Sequence, residues 1–138
     1  MGRASAAARV VERCWTLLGQ RRGRVWYARR ARPQRGEPLS VQFDGPWVLR
    51  REEERRDVVG FYHTHPDGDA TPSRRDVRTM RAWCSAFGKP LLCLIDAPAA
   101  VRGYRFAADG SCRELALVEV FARGVVVGVE DDGEQVPS

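Results

Sequence analysis

Residues 58–76, VVGFYHTHPDGDATPSRRD, contain both histidines of the chain, His63 and His65. The apolar residues that precede them predict a buried strand, and Pro66 ends it. Residues i and i+2 of a strand point to the same side, so the two imidazoles are expected to project together from its end.

A predicted turn and helix follow this strand. The residues Asp67-Gly68-Asp69 are of types that favour a turn, and Ser73 is a residue type favoured at a helix N-cap. Asp76 would lie in the first helical turn, where a carboxylate complements the helix dipole. Two imidazoles and one carboxylate form a His2Asp set that leaves one tetrahedral zinc position open for water, as in catalytic zinc sites. Asp67 and Asp69 are interpreted as turn residues, because that set is already complete.

A simpler interpretation makes the two histidines a surface pair beside an ordinary capped helix. Capping accounts for Ser73 and Asp76. It leaves His63 and His65 without a role. The metal site is therefore the favoured hypothesis.

Composition restricts the class of protein. The chain has 138 residues, of which 43% are hydrophobic and 30% charged, values typical of one soluble domain. No apolar run approaches the ~20 residues that cross a membrane, and no signal peptide is evident. The four cysteines form no C-x-x-C pair, and Cys14 and Cys93 lie in apolar runs, which indicates buried thiols in a reducing cytoplasm. The net charge of +5 permits a nucleic-acid partner but does not favour one.

The hydrophobic pattern predicts an α/β domain over residues 1–129, with a single mixed β-sheet flanked by helices. Residues 130–138 are acidic and are expected to form a disordered tail. Residues 30–38 are predicted to be a loop. Helices are predicted at about 3–13, 47–56 and 73–87, and further strands at 15–18, 25–29, 39–43, 91–95, 101–106, 115–121 and 125–129.

The order His63-x-His65, seven residues, Ser73-x-x-Asp76 resembles the signature of the JAMM (MPN+) zinc metalloproteases. The flanking segments GFYHTHP and TPS agree with the sequences usual in that family. The resemblance implies the JAB/MPN architecture, which is cytidine-deaminase-like. It also implies one Zn²⁺ per chain, held with a bound water by His63, His65 and Asp76. A cytidine-deaminase site itself would need H-x-E and P-C-x-x-C, which this chain lacks.

The resemblance also implies a catalytic glutamate upstream of the histidines, followed by a short apolar strand that ends in glycine. The segment from Glu12 to Gly19, ERCWTLLG, is similar to that pattern and makes Glu12 the candidate general base. Where the family usually has Gly-Leu, this chain has Trp15-Thr16, and the bulky tryptophan is expected to reshape the floor of the site. Otherwise Glu12 is a surface residue at a helix end, and Glu37 is the alternative base. Residues 52–54 are predicted to be an exposed glutamate run.

The family carries the serine of this motif as catalytic. Ser73 would donate a hydrogen bond to the developing oxyanion, a contribution commonly worth ~3 kcal/mol. The residues alone also allow Ser73 to be only the N-cap, and the two roles could compete for one hydroxyl group.

Family members cleave after the C-terminal tail of ubiquitin or ubiquitin-like proteins. The chain resembles compact bacterial members, which are often encoded beside ubiquitin-like, E1-like and E2-like partners, including in antiphage operons. The resemblance therefore implies a ubiquitin-like partner and its conjugates. The tail could bind as an added strand. The segment 45–56 is a candidate groove wall, with Trp47 either an anchor or a core residue.

Three other activities remain open. The RadC family, associated with DNA repair, has a similar motif usually written HNHPSG. Other relatives process sulfur-carrier proteins or trim cell-wall peptides, and the missing signal sequence disfavours the latter. A non-enzymatic domain of this fold normally lacks the metal ligands, which are intact here.

Overall fold

The computed structural model describes residues 12–35, 45–120 and 127–130. These ranges contain two helices and seven strands. In chain order they are β1 (Arg13–Arg22), β2 (Val25–Arg35), α1 (Gly45–Arg55), β3 (Val58–Thr64), α2 (Arg74–Phe87), β4 (Leu91–Asp96), β5 (Val101–Phe106), β6 (Cys112–Val120) and β7 (Val127–Glu130).

The strands form one mixed sheet whose pairing runs full circle, in the order β1-β2-β7-β6-β5-β4-β3 and back to β1. Every described pair is antiparallel except β3 with β4. Helix α2 connects these two parallel strands, so their carboxyl ends lie side by side next to the start of α2. In α/β folds ligands bind beyond the carboxyl ends of such strands. The predicted mixed sheet with flanking helices is confirmed, whereas its closure into a barrel was not predicted.

The two faces of the sheet pack differently. The helix-side face packs against both helices, through Val48 of α1 and a group from α2 that includes Met80 and Trp83. The opposite face, here the lumen face, packs against itself in the described part of the chain, and its buried side chains come from several strands of the barrel: Leu17, Trp26, Ala28, Val59, Tyr62, Leu92, Leu94 and Leu115. A side chain's face therefore determines whether it meets α2 or the barrel interior.

Helix α2 has the boundaries that its sequence predicts. Ser73 is the N-cap, and Gly88 adopts the left-handed conformation (φ 69°) at the C-terminus and donates its backbone N–H to the carbonyl of Cys84. The apolar residues of α2 recur at three- and four-residue steps and pack on the helix-side core: Val77, Met80, Trp83, Cys84 and Phe87. Neither described helix is long and apolar enough to cross a membrane.

The loop predicted at 30–38 is wrong for residues 30–35, because β2 continues to Arg35. The register shifts between Cys14 and Thr16 of β1, which pair with Gln34 and Ala31 of β2. This bulge places one extra residue in β2, where Arg32 has a positive φ of 54°. A bulge also tolerates Pro33, the residue that had suggested a loop.

The helix predicted at about 3–13 is wrong at its end, because Arg13 begins β1. There β1 pairs with both β2 and β3, and this tertiary pairing overrides local propensity. Of the glutamate run, Glu52 is only partly exposed: it accepts the backbone N–H of Val58 and pairs with Lys89 at 2.8 Å. Most of the helix predicted at 3–13, the strand predicted at 39–43, Glu37 and residues 131–138 lie outside the described residues.

Gly60 is the tightest point of β3. Its φ is +158°, and a Cβ atom there would overlap the backbone of Leu92 on β4. We expect Gly60→Ala to lower the free energy of unfolding by about 2–4 kcal/mol, from strain and overpacking together. Gly68→Ala is the matched control, because no atom lies within 4 Å of the added methyl group. Urea denaturation measures both, and equal stabilities would contradict the prediction.

Candidate metal centre

The predicted ligands come together where β3 ends and α2 begins. His63 lies on the helix-side face of β3, as does Phe61 two residues earlier, and only 1% of its surface is exposed. His65 follows the last residue of β3, and Asp76 is buried in the first turn of α2. The end of β3 therefore positions the two imidazoles, and α2, the helix that connects β3 to β4, positions the carboxylate.

The three side chains offer ligand atoms at metal-binding separations. His63 Nε2 lies 3.1 Å from His65 Nε2, and each nitrogen lies 3.2 Å from an oxygen of Asp76. Ligands at 2.0–2.2 Å from a tetrahedral ion are themselves separated by roughly 3.3–3.6 Å. One ligand atom from each residue can be chosen so that all lie within 4.8 Å of one another. The donor set therefore fits a metal ion with three protein ligands.

Asp76 has a second set of contacts in the helix cap. Its Oδ2 accepts the backbone N–H of Ser73 at 2.8 Å, and its own backbone N–H donates to Ser73 Oγ at 3.0 Å, a reciprocal capping box. Burial would raise the pKa of the Asp76 carboxyl, but contacts with His63, the Ser73 N–H and His65 outweigh it and lower the pKa to about 2. Asp76 is thus held as a carboxylate, the form that binds a metal.

The two histidines are oriented by different means. His65 Nδ1 lies 2.8 Å from the carbonyl oxygen of Asp69, which can only accept, so Nδ1 donates this hydrogen bond and Nε2 faces the other predicted ligand atoms. His63 Nδ1 is buried and has no hydrogen-bond partner among the described residues. Packing inside a strand holds His63, whereas hydrogen bonds hold His65.

Asp69 is a turn residue, as predicted. Its side chain accepts the backbone N–H of Thr71. Its carbonyl oxygen orients His65, a role that the residue type could not indicate.

Ser73 is exposed at the N-cap, and its Oγ accepts a hydrogen bond from the backbone of Asp76. A serine hydroxyl has one donor and two acceptor sites. Capping uses an acceptor site, so the O–H remains able to donate to a substrate. The two roles assigned to Ser73 are therefore compatible.

Glu12 lies at the entry to β1 and is partly buried. Cys14 of β1 pairs with His63, and the Arg13 N–H donates to Thr64 Oγ1 at 3.0 Å. Continuing this register places Glu12 beside His65. Glu12 also shares the face of Cys14, which packs in the helix-side core. This alternation agrees with Glu12 as the general base, which stays a prediction.

Trp15, the departure from the family pattern, lies on the other face. Its ring meets Tyr62 edge-on with centroids 5.4 Å apart, and the guanidinium of Arg30 lies 4.4 Å from the Trp15 centroid and 4.7 Å from that of Tyr62. Both rings pack on the lumen face. Trp15 therefore lies on the lumen face of the sheet, opposite the face that carries His63, and not in the floor of the site.

Sequence reasoning missed three polar residues near the ligands: Tyr62, Asp96 and Tyr104. Tyr62 immediately precedes His63, and Asp96 is the last residue of β4. A polar residue at the carboxyl end of a buried strand was the available signal.

Comparison with protein families matches residues 1–108 to the prokaryotic homologs of the JAB domain. The chain belongs to this family. No curated protein matches the chain. Membership of the JAB family together with the His63, His65 and Asp76 group fits a JAMM-type peptidase and suggests a metal-dependent hydrolase.

Proposed function

We propose that this JAB domain is a zinc-dependent peptidase or isopeptidase that releases a ubiquitin-like protein by hydrolysis after its C-terminal tail. One observation carries the proposal. Ligand atoms of His63, His65 and Asp76 approach one another to 3.1–3.2 Å at the carboxyl end of β3, and one atom from each can be chosen within 4.8 Å of the others. Three protein ligands leave a fourth position open, which is the arrangement of catalytic zinc.

The roles follow from the placement of each side chain. Bound zinc would act as a Lewis acid, lowering the pKa of a water and polarising the scissile carbonyl. Glu12, two residues before the last pair of β1 with β3 (Cys14 with His63), would accept a proton from the attacking water and deliver it to the leaving amine. The Ser73 hydroxyl, free to donate while its oxygen caps α2, would donate to the oxyanion.

The substrate class rests on family membership. A flexible tail could add to the sheet as a strand, with backbone hydrogen bonds supplying affinity. We propose α1 as a wall of the groove. Trp47 of α1 is partly buried against the helix-side core, with the guanidinium of Arg32 5.4 Å from its ring centroid. E1-like and E2-like proteins would be its functional partners, in an antiphage conjugation system.

A cytoplasmic location is part of the same proposal. The cysteines at 14, 84, 93 and 112 are all free thiols. Free thiols fit a reducing compartment, where disulfides are rare.

The direct test is cleavage of ubiquitin-like proteins that carry a C-terminal fusion, by zinc-loaded protein. Cleavage immediately after the tail, lost on addition of a chelator, would support the proposal. Sulfur-carrier fusions belong in the panel, since their exclusive cleavage would identify a processing peptidase. A zinc-loaded protein that cleaves none of these substrates would contradict the proposal.

Three substitutions can separate the two roles of Ser73, as helix N-cap and as hydrogen-bond donor to the oxyanion. Ser73→Ala removes both the cap and the hydroxyl, and we expect a loss of about 1 kcal/mol in stability and ~10²–10³-fold in kcat. Ser73→Asp keeps a good cap without an O–H donor, so stability should return while activity stays low. Ser73→Thr keeps both functions. Chemical denaturation and fusion-cleavage kinetics measure the two effects. Full activity of Ser73→Asp would show that the serine is only a cap.

A further inference from the structure

His65 differs from the other two ligands in how it is held. His63 lies inside β3 and Asp76 inside α2, and both are buried. His65 lies beyond the strand, and its side chain is 12% exposed. Its direction must therefore come from specific contacts, and two of them are backbone carbonyl groups.

The first carbonyl group belongs to Asp96. The backbone N–H of His65 donates to this oxygen at 2.9 Å, which extends the β3–β4 pairing one residue past Thr64. The carboxylate of Asp96 accepts the Tyr62 hydroxyl at 2.8 Å. Tyr62 is in turn packed against Trp15 and Arg30 in the lumen. The Tyr62 hydroxyl therefore holds Asp96, and the carbonyl of Asp96 holds the backbone of His65.

The second carbonyl group belongs to Asp69, which accepts the ring proton of His65 at Nδ1. The next residue, Ala70, is buried, and its carbonyl oxygen accepts the Tyr104 hydroxyl at 2.7 Å. Tyr104 lies on β5, not on the strand β3 that leads into this loop, and its side chain packs in the helix-side core. The Tyr104 hydroxyl therefore holds the turn at Asp69 and Ala70, and the carbonyl of Asp69 in that turn orients the His65 ring.

We propose, on the basis of the proposed function, that Tyr62 and Tyr104 are positioning residues for the metal. One hydroxyl holds the backbone of His65 and the other holds its imidazole, from opposite faces of the sheet. Neither tyrosine is a ligand or a member of the predicted site. Outer contacts that orient a ligating histidine typically change metal affinity ~10–100-fold when removed.

Both phenols act as donors, because each hydroxyl faces an oxygen that can only accept: the carboxylate of Asp96 for Tyr62 and the carbonyl of Ala70 for Tyr104.

The test removes one hydroxyl at a time. Tyr62→Phe and Tyr104→Phe retain the packed rings, and Tyr27→Phe is the matched control because Tyr27 is exposed on the β1–β2 hairpin. Zn²⁺ affinity is measured by competition with a chromogenic chelator, and the ligand geometry by the visible spectrum of the Co²⁺-loaded protein. We expect each site variant to lose ~10-fold or more in Zn²⁺ affinity and to change the Co²⁺ spectrum, while Tyr27→Phe matches the wild type.

A purely structural role would give a different result. It would lower the unfolding midpoint of the metal-free protein but leave the Zn²⁺ affinity and Co²⁺ spectrum of the folded protein unchanged, and that outcome would overturn the inference. If Tyr62→Phe does not fold, Asp96→Ala removes the same hydrogen bond from its other end. A wild-type protein that binds no Zn²⁺ would refute the proposed function itself. Wild-type binding with unchanged affinity in both variants would refute only the inference.

Discussion

Glu12→Gln is expected to bind zinc as the wild type does and to cleave a ubiquitin-like fusion ~10²–10⁴-fold more slowly, the usual contribution of a positioned general base. Glutamine keeps the size and hydrogen-bonding capacity of the side chain but cannot take a proton. The register of β1 with β3 agrees with this choice, because Glu12 lies two residues before Cys14, which pairs with His63. Single-turnover cleavage and metal analysis of the same sample give both readings.

The matched control is Glu53→Gln, an exposed glutamate on α1. It should leave both zinc content and rate unchanged. Loss of zinc from Glu12→Gln would make Glu12 a ligand and not a base. A wild-type rate with full zinc would remove Glu12 from the mechanism.

The candidate metal centre could be predicted from the sequence because its geometry is local. His63 and His65 need only the two-residue repeat of a strand, and Ser73 and Asp76 need only the first turn of a helix. The one long-range step, bringing α2 back to the end of β3, follows from the parallel crossover between β3 and β4. The mixed sheet was partly accessible for the same reason, since strands such as β4 are short apolar runs bounded by turn residues.

What could not be predicted depends on contacts between distant residues. The continuation of β2 through Pro33 depends on a bulge opposite Cys14 and Thr16, which no local pattern encodes. The closing of the barrel depends on β2 pairing with β7, about a hundred residues away in sequence. Tyr62 and Tyr104 are ordinary apolar-strand tyrosines by pattern, and only the fold shows what their hydroxyls hold.

Asp76→Asn is expected to lower zinc affinity by more than ~100-fold, beyond the loss typical of outer contacts, while the protein still folds. The substitution removes a charged ligand that lies 3.2 Å from each histidine nitrogen. It keeps an oxygen that can accept the Ser73 N–H, so the cap of α2 should survive. Asp76→Ala should lose both the metal and the reciprocal cap. Zinc titration and denaturation of the metal-free proteins separate the two effects.

This pair of variants also decides between the two interpretations of the motif. If Asp76 served only the helix, Asn would behave as the wild type in every assay and Ala would lose stability alone. If Asp76 is a ligand, Asn and Ala lose zinc alike and differ in stability, by about 1 kcal/mol for the cap. Burial also favours the ligand role, because Asp76 and His63 are nearly inaccessible, and capping a surface helix would not require a carboxylate and an imidazole to be buried together. Zinc binding to Asp76→Asn with wild-type affinity would therefore contradict the metal centre as assigned.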